Sequence, residues 1–209
     1  MERLFERADG LTPVLLSHPD SMRFRRWAAL YHRRFPYQEL APLSGIEQSL
    51  RDHQAVILGL MTPDNDWAAF SMVEYLQQGT LLSYLATAKP FEGKGLAGEL
   101  VRAQLATYLS RRHPYFWLEA APKLWPFYRH LGFRVLDFDF RIPEFHASGS
   151  EKMGLLIHPY AGVEQIDKAA VTAFVRELFL SSYGLKEADP RFVWQMQALA
   201  RCPHSVFSL

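Results

Sequence analysis

The sequence predicts a mixed α+β fold in which a mostly antiparallel central sheet is flanked by helices. Three observations predict it. First, residues 54–87 hold three apolar runs of strand length, 55–60, 67–76 and 81–87. Second, the runs are joined by Thr62-Pro63-Asp64-Asn65-Asp66 and Gln77-Gln78-Gly79-Thr80. These are turn-forming clusters, too short for a crossover helix, so the three strands form an antiparallel meander. Third, the meander runs into a glycine-rich turn, then a helical pattern over about 97–109, then a second core strand over 115–119.

The elements before the meander follow from local signals. Pro13 to Ser17 reads as a short first strand. Asp20 or Ser21 is a helix N-cap, and Phe24, Trp27, Leu30 and Tyr31 recur at helical spacing over 22–34. Arg23, Arg25, Arg26, Arg33 and Arg34 fall on the other side and read as a solvated face. Pro36 stops the helix. Ser44-Gly45-Ile46-Glu47 has the spacing of a capping box, which predicts a second helix from Gly45 to about His53.

The glycine turn is Glu92-Gly93-Lys94-Gly95-Leu96-Ala97-Gly98. Strand, glycine turn and helix together suit a phosphate. The helix N-terminus offers free N–H groups and a favourable dipole, and glycine lets the backbone approach closely. A dinucleotide is one reading, because Gly93-x-Gly95-x-x-Gly98 fits the Rossmann spacing and Glu119 lies some way downstream. Its context is wrong. Five residues, Ala88 to Glu92, separate the strand from Gly93, Pro90 is among them, and the preceding strands form a meander.

A second short cluster is Tyr128-Arg129-His130-Leu131-Gly132-Phe133. With it, the sequence resembles the GNAT superfamily of N-acetyltransferases. That family's signatures are Arg/Gln-x-x-Gly-x-Gly/Ala between a strand and a helix, and Tyr-x-x-x-Gly-Phe further on. The resemblance is clear over roughly residues 50–140. One position departs from it: Glu92 stands where the family has Arg or Gln, and Lys94 could offset its charge.

The resemblance implies acetyl-CoA, or another acyl-CoA, as co-substrate, with Leu85, Ala86, Thr87, Glu92, Gly93, Lys94, Gly95, Leu96, Ala97 and Gly98 around it. It implies direct attack by a primary amine on the thioester. An amine of the lysine type has a pKa of about 10.4, so on the order of one in two thousand is neutral at pH 7. A base must therefore take its proton. Glu119 is the first candidate base, Glu74 the second and Glu39 the third. Tyr128 occupies the family's position for the acid that reprotonates the leaving thiolate. Backbone N–H groups around Leu85 to Thr87 would polarise the carbonyl. Tyr37, Gln38 and Glu39 are candidates for acceptor contact. The acceptor is a small-molecule amine or a peptide or protein amine. The alternative on the same fold is an acyl-CoA-binding sensor without turnover.

Beyond the core, Arg134 to Phe140 alternates as a strand and Met153 to His158 is its antiparallel partner. A helix is expected over 162–182, ending at Gly184. Another follows Asp189-Pro190, an N-cap with proline at N1. Phe174, Leu178, Phe192, Val193 and Met196 read as packing. The expected organisation is an acetyltransferase domain over 1–160 and a helical extension over 161–209, packed on it. The extension could cover a sheet face, close the acceptor pocket or make a homodimer contact.

Composition sets outer limits. The 209 residues are 49% hydrophobic and 22% charged, ordinary for a globular chain. A net charge of +1 argues for neither nucleic acid nor an acidic membrane surface. The single cysteine, Cys202, allows no internal disulfide or cysteine cluster. The eight histidines have no metal-ligand spacing. The charged Glu2 and Arg3 argue against a secretory signal, and no apolar run is long enough to span a bilayer. The expectation is a reduced, cytoplasmic protein.

Overall fold

The computed structural model describes residues 9–19, 21–108, 115–159 and 162–209. Glu2, Arg3 and Asp20, named above, and the last residue of the helical pattern expected over 97–109 lie outside the described residues. The chain divides into two compact units. One holds the described residues of Met1–Glu74 and Leu82–Tyr108, the other Tyr75–Leu81 and the described residues of Leu109–Leu209.

In the first unit, β1 (Thr12–Leu16) pairs antiparallel with β2 (Ala55–Met61), with Leu16 opposite Ile57. β2 pairs antiparallel with β3 (Trp67–Leu76), with Ala55 opposite Glu74. β4 (Gly79–Thr87) is the next neighbour of β3. This is the expected meander. Every residue of β2 is buried, as in a strand covered on both faces. Its alternation sorts the side chains into two layers. Ile57 and Met61 pack with Phe24, Trp27 and Tyr31 of α1 (Met22–Arg34) and with Ile46 and Leu50 of α2 (Leu43–Arg51). Leu58 and Leu60 pack with Leu96 and Leu100 of α3 (Leu96–Tyr108).

Helix α1 starts as its sequence implies, with Ser21 Oγ accepting the Phe24 N–H at 3.2 Å. Helix α2 does not. It begins at Leu43, its N-cap is Pro42, and no side chain caps it. Proline is preset for a helix start, so the helix begins one residue before Ser44. Ser44 then lies inside the first turn, where it cannot serve as the cap of the expected box.

In the second unit, β8 (Ser150–Pro159) is the common partner. It pairs antiparallel with β5 (Tyr115–Ala120), β6 (Arg134–Val135) and β7 (Phe140–Pro143). The single strand expected over 134–140 is thus two strands. Val135 faces Leu156, and an unbroken ladder would bring Phe138 opposite Met153. Phe140 stands there instead, so two residues are looped out. Phe138 uses the bend to meet Phe140 at 5.7 Å and Phe207 at 5.8 Å. Alternating hydrophobicity reads the same with or without such a bulge.

The helix expected over 162–182 is also divided. Gln165–Asp167 form β9, paired with β10 (Val206–Ser208) near the C-terminus, and bury Ile166 opposite Phe207. Helix α5 (Lys168–Glu177) follows, then a wider π turn over Leu178–Ser182. The partner strand lies too far along the chain for local periodicity to reveal it. Helix α6 (Pro190–Arg201) starts as expected, with Asp189 accepting the Arg191 N–H at 2.9 Å. Phe174 stacks on Trp117 with centroids 4.1 Å apart, and Leu178 and Phe192 are buried beside it. Val193 is not packed: it faces outward from α6 and is 39% exposed.

Candidate active site

The glycine turn leaves β4 at Thr87, passes a 3-10 turn at Lys89–Phe91 that absorbs Pro90, and enters α3 at Leu96. Gly93 and Gly95 sit at φ +75° and +78°, the left-handed region where glycine carries no Cβ penalty. A Cβ on either would meet nothing within 4 Å. Their constraint is therefore conformational, and the space beside this backbone is open. Glu99 donates to the Gly95 carbonyl at 3.1 Å, the first such bond entering the helix. The N–H groups before it are the ones that a helix start leaves for a ligand.

The residues expected around the cofactor divide by exposure. Glu92, Gly93, Lys94 and Gly95 are exposed. Leu96 and Gly98 are buried, and Leu85, Thr87 and Ala97 are half-buried. Leu85 leans on the α3 layer and Ala86 on the α1–α2 layer, so these two contribute backbone rather than side chain to any site at the strand end. The Glu92 carboxylate accepts from Arg34 Nη2 at 2.5 Å. Lys94 Nζ stands 4.9 Å from the Phe91 ring centroid.

The first unit also holds a polar group that the sequence reading missed. Tyr84, on β4, donates its hydroxyl to the Glu39 carbonyl at 2.9 Å and accepts the Ala41 N–H at 3.1 Å. Its ring meets Tyr31 edge-on at 4.8 Å. Burial raises both phenols above the ordinary tyrosine value. The only local sign was that Tyr84 shares the strand face of Leu82 and Ala86. Glu74 accepts a short hydrogen bond from Ser83 Oγ. Tyr37 begins a 3-10 turn with Gln38 and Glu39 and is 64% exposed.

In the second unit, Tyr128 lies on α4 (Trp125–His130). The Tyr-x-x-x-Gly-Phe cluster proves to be a helix stop. Gly132 takes φ +91°, the Gly132 N–H returns to Arg129 O at 3.0 Å, and the Phe133 N–H returns to Tyr128 O at 3.1 Å. The Phe133 and Tyr128 rings touch at 5.7 Å. These are the two hydrogen bonds and the apolar contact of a Schellman cap. They tie the Tyr128 backbone to the strand that follows. Tyr128 is 7% exposed, its hydroxyl has no hydrogen-bond partner among the described residues, and burial raises its pKa. His130, two residues on, is exposed.

Glu119, on β5, is half-buried and accepts a hydrogen bond from the Tyr183 hydroxyl at 2.9 Å. Tyr183 follows the π turn, beyond the stretch that carries the sequence signatures, and no local signal pointed to it. Among the described residues, no group of three His, Cys, Asp or Glu side chains could hold a metal ion, and no helix is long and apolar enough to cross a membrane.

The family model described as the acetyltransferase (GNAT) domain matches residues 34–142, more than half of the chain. The chain belongs to the GNAT acetyltransferase family. Its fold is similar to that of a GNAT-family protein from Bacteroides thetaiotaomicron, with a TM-score of 0.67 at 16% identity over 84% of this chain and 99% of that one. It is also similar to the ribosomal-protein-S18-alanine N-acetyltransferase from Escherichia coli, with a TM-score of 0.52 at 16% identity over 73% and 96%. A third likeness is to spermidine N-acetyltransferase from Vibrio cholerae in complex with CoA and spermine, with a TM-score of 0.52 at 16% identity over 71% and 94%. At these identities the likeness is one of fold. No curated protein matches the sequence.

Proposed function

We propose that the protein is an acetyl-CoA-dependent N-acetyltransferase that moves an acyl group to a primary amine by direct attack in a ternary complex. The observation that carries this is the glycine turn: two left-handed glycines with open space beside them, directly ahead of the α3 N-terminus, inside the matched span 34–142. Its N–H groups suit the pyrophosphate of the coenzyme. In this reading the N–H groups of Leu85 to Thr87 polarise the thioester carbonyl. Glu119 receives the amine proton, and Tyr128 returns a proton to the thiolate. The Tyr128 phenol is protonated at neutral pH, as a donor must be, and burial, by raising its pKa, makes its proton harder to give up. The acceptor is a small amine or the amine of a peptide or protein.

The Glu92 departure is one reason to keep the alternative of a sensor that binds acyl-CoA without turnover. That objection weakens, because the carboxylate is bound to Arg34 rather than presented alone beside the turn. Calorimetric titration with acetyl-CoA, run in parallel with NAD(H), is the test, followed by thiol release with a panel of amines. The reading expects micromolar acetyl-CoA binding, none for NAD(H), and amine-dependent thiol release. Binding without release under any amine would leave the sensor; NAD(H) binding instead would overturn both.

A further inference from the structure

The glycine turn matches the family signature at every position except the first. Where the signature carries Arg or Gln, this chain has Glu92, and Glu92 is bound to Arg34. Arg34 is the last residue of α1 and lies 58 residues earlier in the chain. Helix α1 is anchored by Trp27 and Tyr31, both 0% exposed. The core therefore sets the position of the Arg34 backbone, and the ion pair sets only where its head points.

A guanidinium carries five N–H donors and stays charged at any working pH. The one printed bond uses Nη2 of Arg34; its remaining donors have no partner among the described residues, and its side chain is 32% exposed. The other paired arginine of this helix is engaged elsewhere: Arg26 donates to the Asp64 carbonyl at 2.8 Å and to Asp66 at 3.4 Å. Arg34 is thus the α1 cation brought to the glycine turn. A lone carboxylate at Glu92 would repel a phosphate there. Bound to Arg34, its charge is balanced, and it holds the guanidinium at the first residue of the turn.

We propose that Arg34 is a phosphate-binding residue of the acyl-CoA site, supplied by α1 where the first position of the turn carries Glu92 and not Arg or Gln, with Glu92 as the residue that positions it. This rests on the acyl-CoA reading above. Planar guanidinium and phosphate make charge-assisted, two-pronged hydrogen bonds, so the ligand recognised is the phosphate end of the coenzyme and not its pantetheine arm.

The test is calorimetric affinity for acetyl-CoA and, by competition, for S-acetylpantetheine, which has no phosphate on its arm. The proteins are wild type, Arg34→Ala, Arg34→Gln, and the double variant Arg34→Ala with Glu92→Arg. Both single variants should weaken acetyl-CoA about ten- to a hundredfold and leave S-acetylpantetheine unchanged. The double variant places arginine where the family has it and should recover most of the loss. Equal losses for both ligands, or an acetyl-CoA affinity within about twofold of wild type in Arg34→Gln, would overturn the proposal and leave the pair as a structural contact. Failure of the wild type itself to bind acetyl-CoA would instead overturn the underlying reading, and the proposal with it.

Discussion

The Tyr183 hydroxyl donates a 2.9 Å hydrogen bond to Oε2 of Glu119. The two residues are 64 positions apart, and Tyr183 lies outside the span that the family model matches. The ring of Tyr183 is itself held, stacked on Phe145 with centroids 4.9 Å apart. The side chain proposed as the base is therefore oriented by a part of the chain that the family core does not include.

If Glu119 accepts the amine proton, Tyr183 is a positioning residue for it. Tyr183→Phe should slow amine-dependent thiol release by roughly tenfold, the scale of one hydrogen bond to a charged group. Acetyl-CoA affinity should not change. A hydrogen bond donated to a carboxylate favours its charged form, so losing it should move the acid limb of the rate profile to higher pH. Glu119→Gln should abolish release while keeping affinity. A Tyr183→Phe profile that superimposes on wild type would remove Tyr183 from the reaction.

Tyr128→Phe separates an enzyme from a binding protein. The ring, the Schellman cap and the Phe133 contact all survive the substitution, so the fold should not change. Turnover should fall on the order of a hundredfold, as for loss of a positioned acid, and calorimetry should show acetyl-CoA affinity within about twofold. Because burial raises the Tyr128 pKa, wild-type activity should show no loss from phenol ionisation through the ordinary tyrosine range near pH 10. An unchanged rate in Tyr128→Phe would leave the tyrosine as a packing residue.

Gly132→Ala should be costly for two independent reasons. The residue sits at φ +91°, and a Cβ there would come within 2.9 Å of His158 Nε2. Chemical denaturation should show a loss of about 1–3 kcal/mol. Gly10, also left-handed but with open space around it, is the control, and alanine there should cost less. Equal losses at the two positions would mean that the His158 contact contributes nothing.

Asp189 anchors the start of α6. It accepts the Arg191 N–H at 2.9 Å, and the Arg191 guanidinium at 3.0 and 2.8 Å. Those bonds, the side-chain one foremost, hold its pKa below the ordinary carboxylate value. A depressed folded pKa means that this stabilisation is fully present above the unfolded value, about pH 3.9, and is lost as pH falls through the folded one. Asp189→Ala should cost about 1–2 kcal/mol at neutral pH, as for other N-caps. Asp189→Asn should keep much of the cap and flatten the stability profile below pH 4. An Asp189→Asn profile as steep as wild type there would show that other carboxylates dominate.

Near-neighbour chemistry made a good part of this protein legible in its sequence. Helical spacing over 22–34 and the mainly apolar run over 67–76, broken only at Ser71 and Glu74, yield α1 and β3 with their observed ends. Short turn clusters make the meander antiparallel, and this, with the five residues and Pro90 ahead of Gly93, separates the glycine turn from a dinucleotide site. Gly93 and Gly95 were readable because positive φ is a property of one residue and its immediate neighbours. What the sequence could not show is which distant groups meet. Arg34 reaches Glu92, Tyr183 reaches Glu119, and Tyr84 reaches the Glu39 carbonyl only because helices and strands pack in a particular register. The looped-out residues between β6 and β7 and the pairing of β9 with β10 have the same origin. Periodicity records which face of an element is buried. The partner found there is chosen by long-range packing, and in this chain the charged and polar partners of the candidate site were chosen in that way.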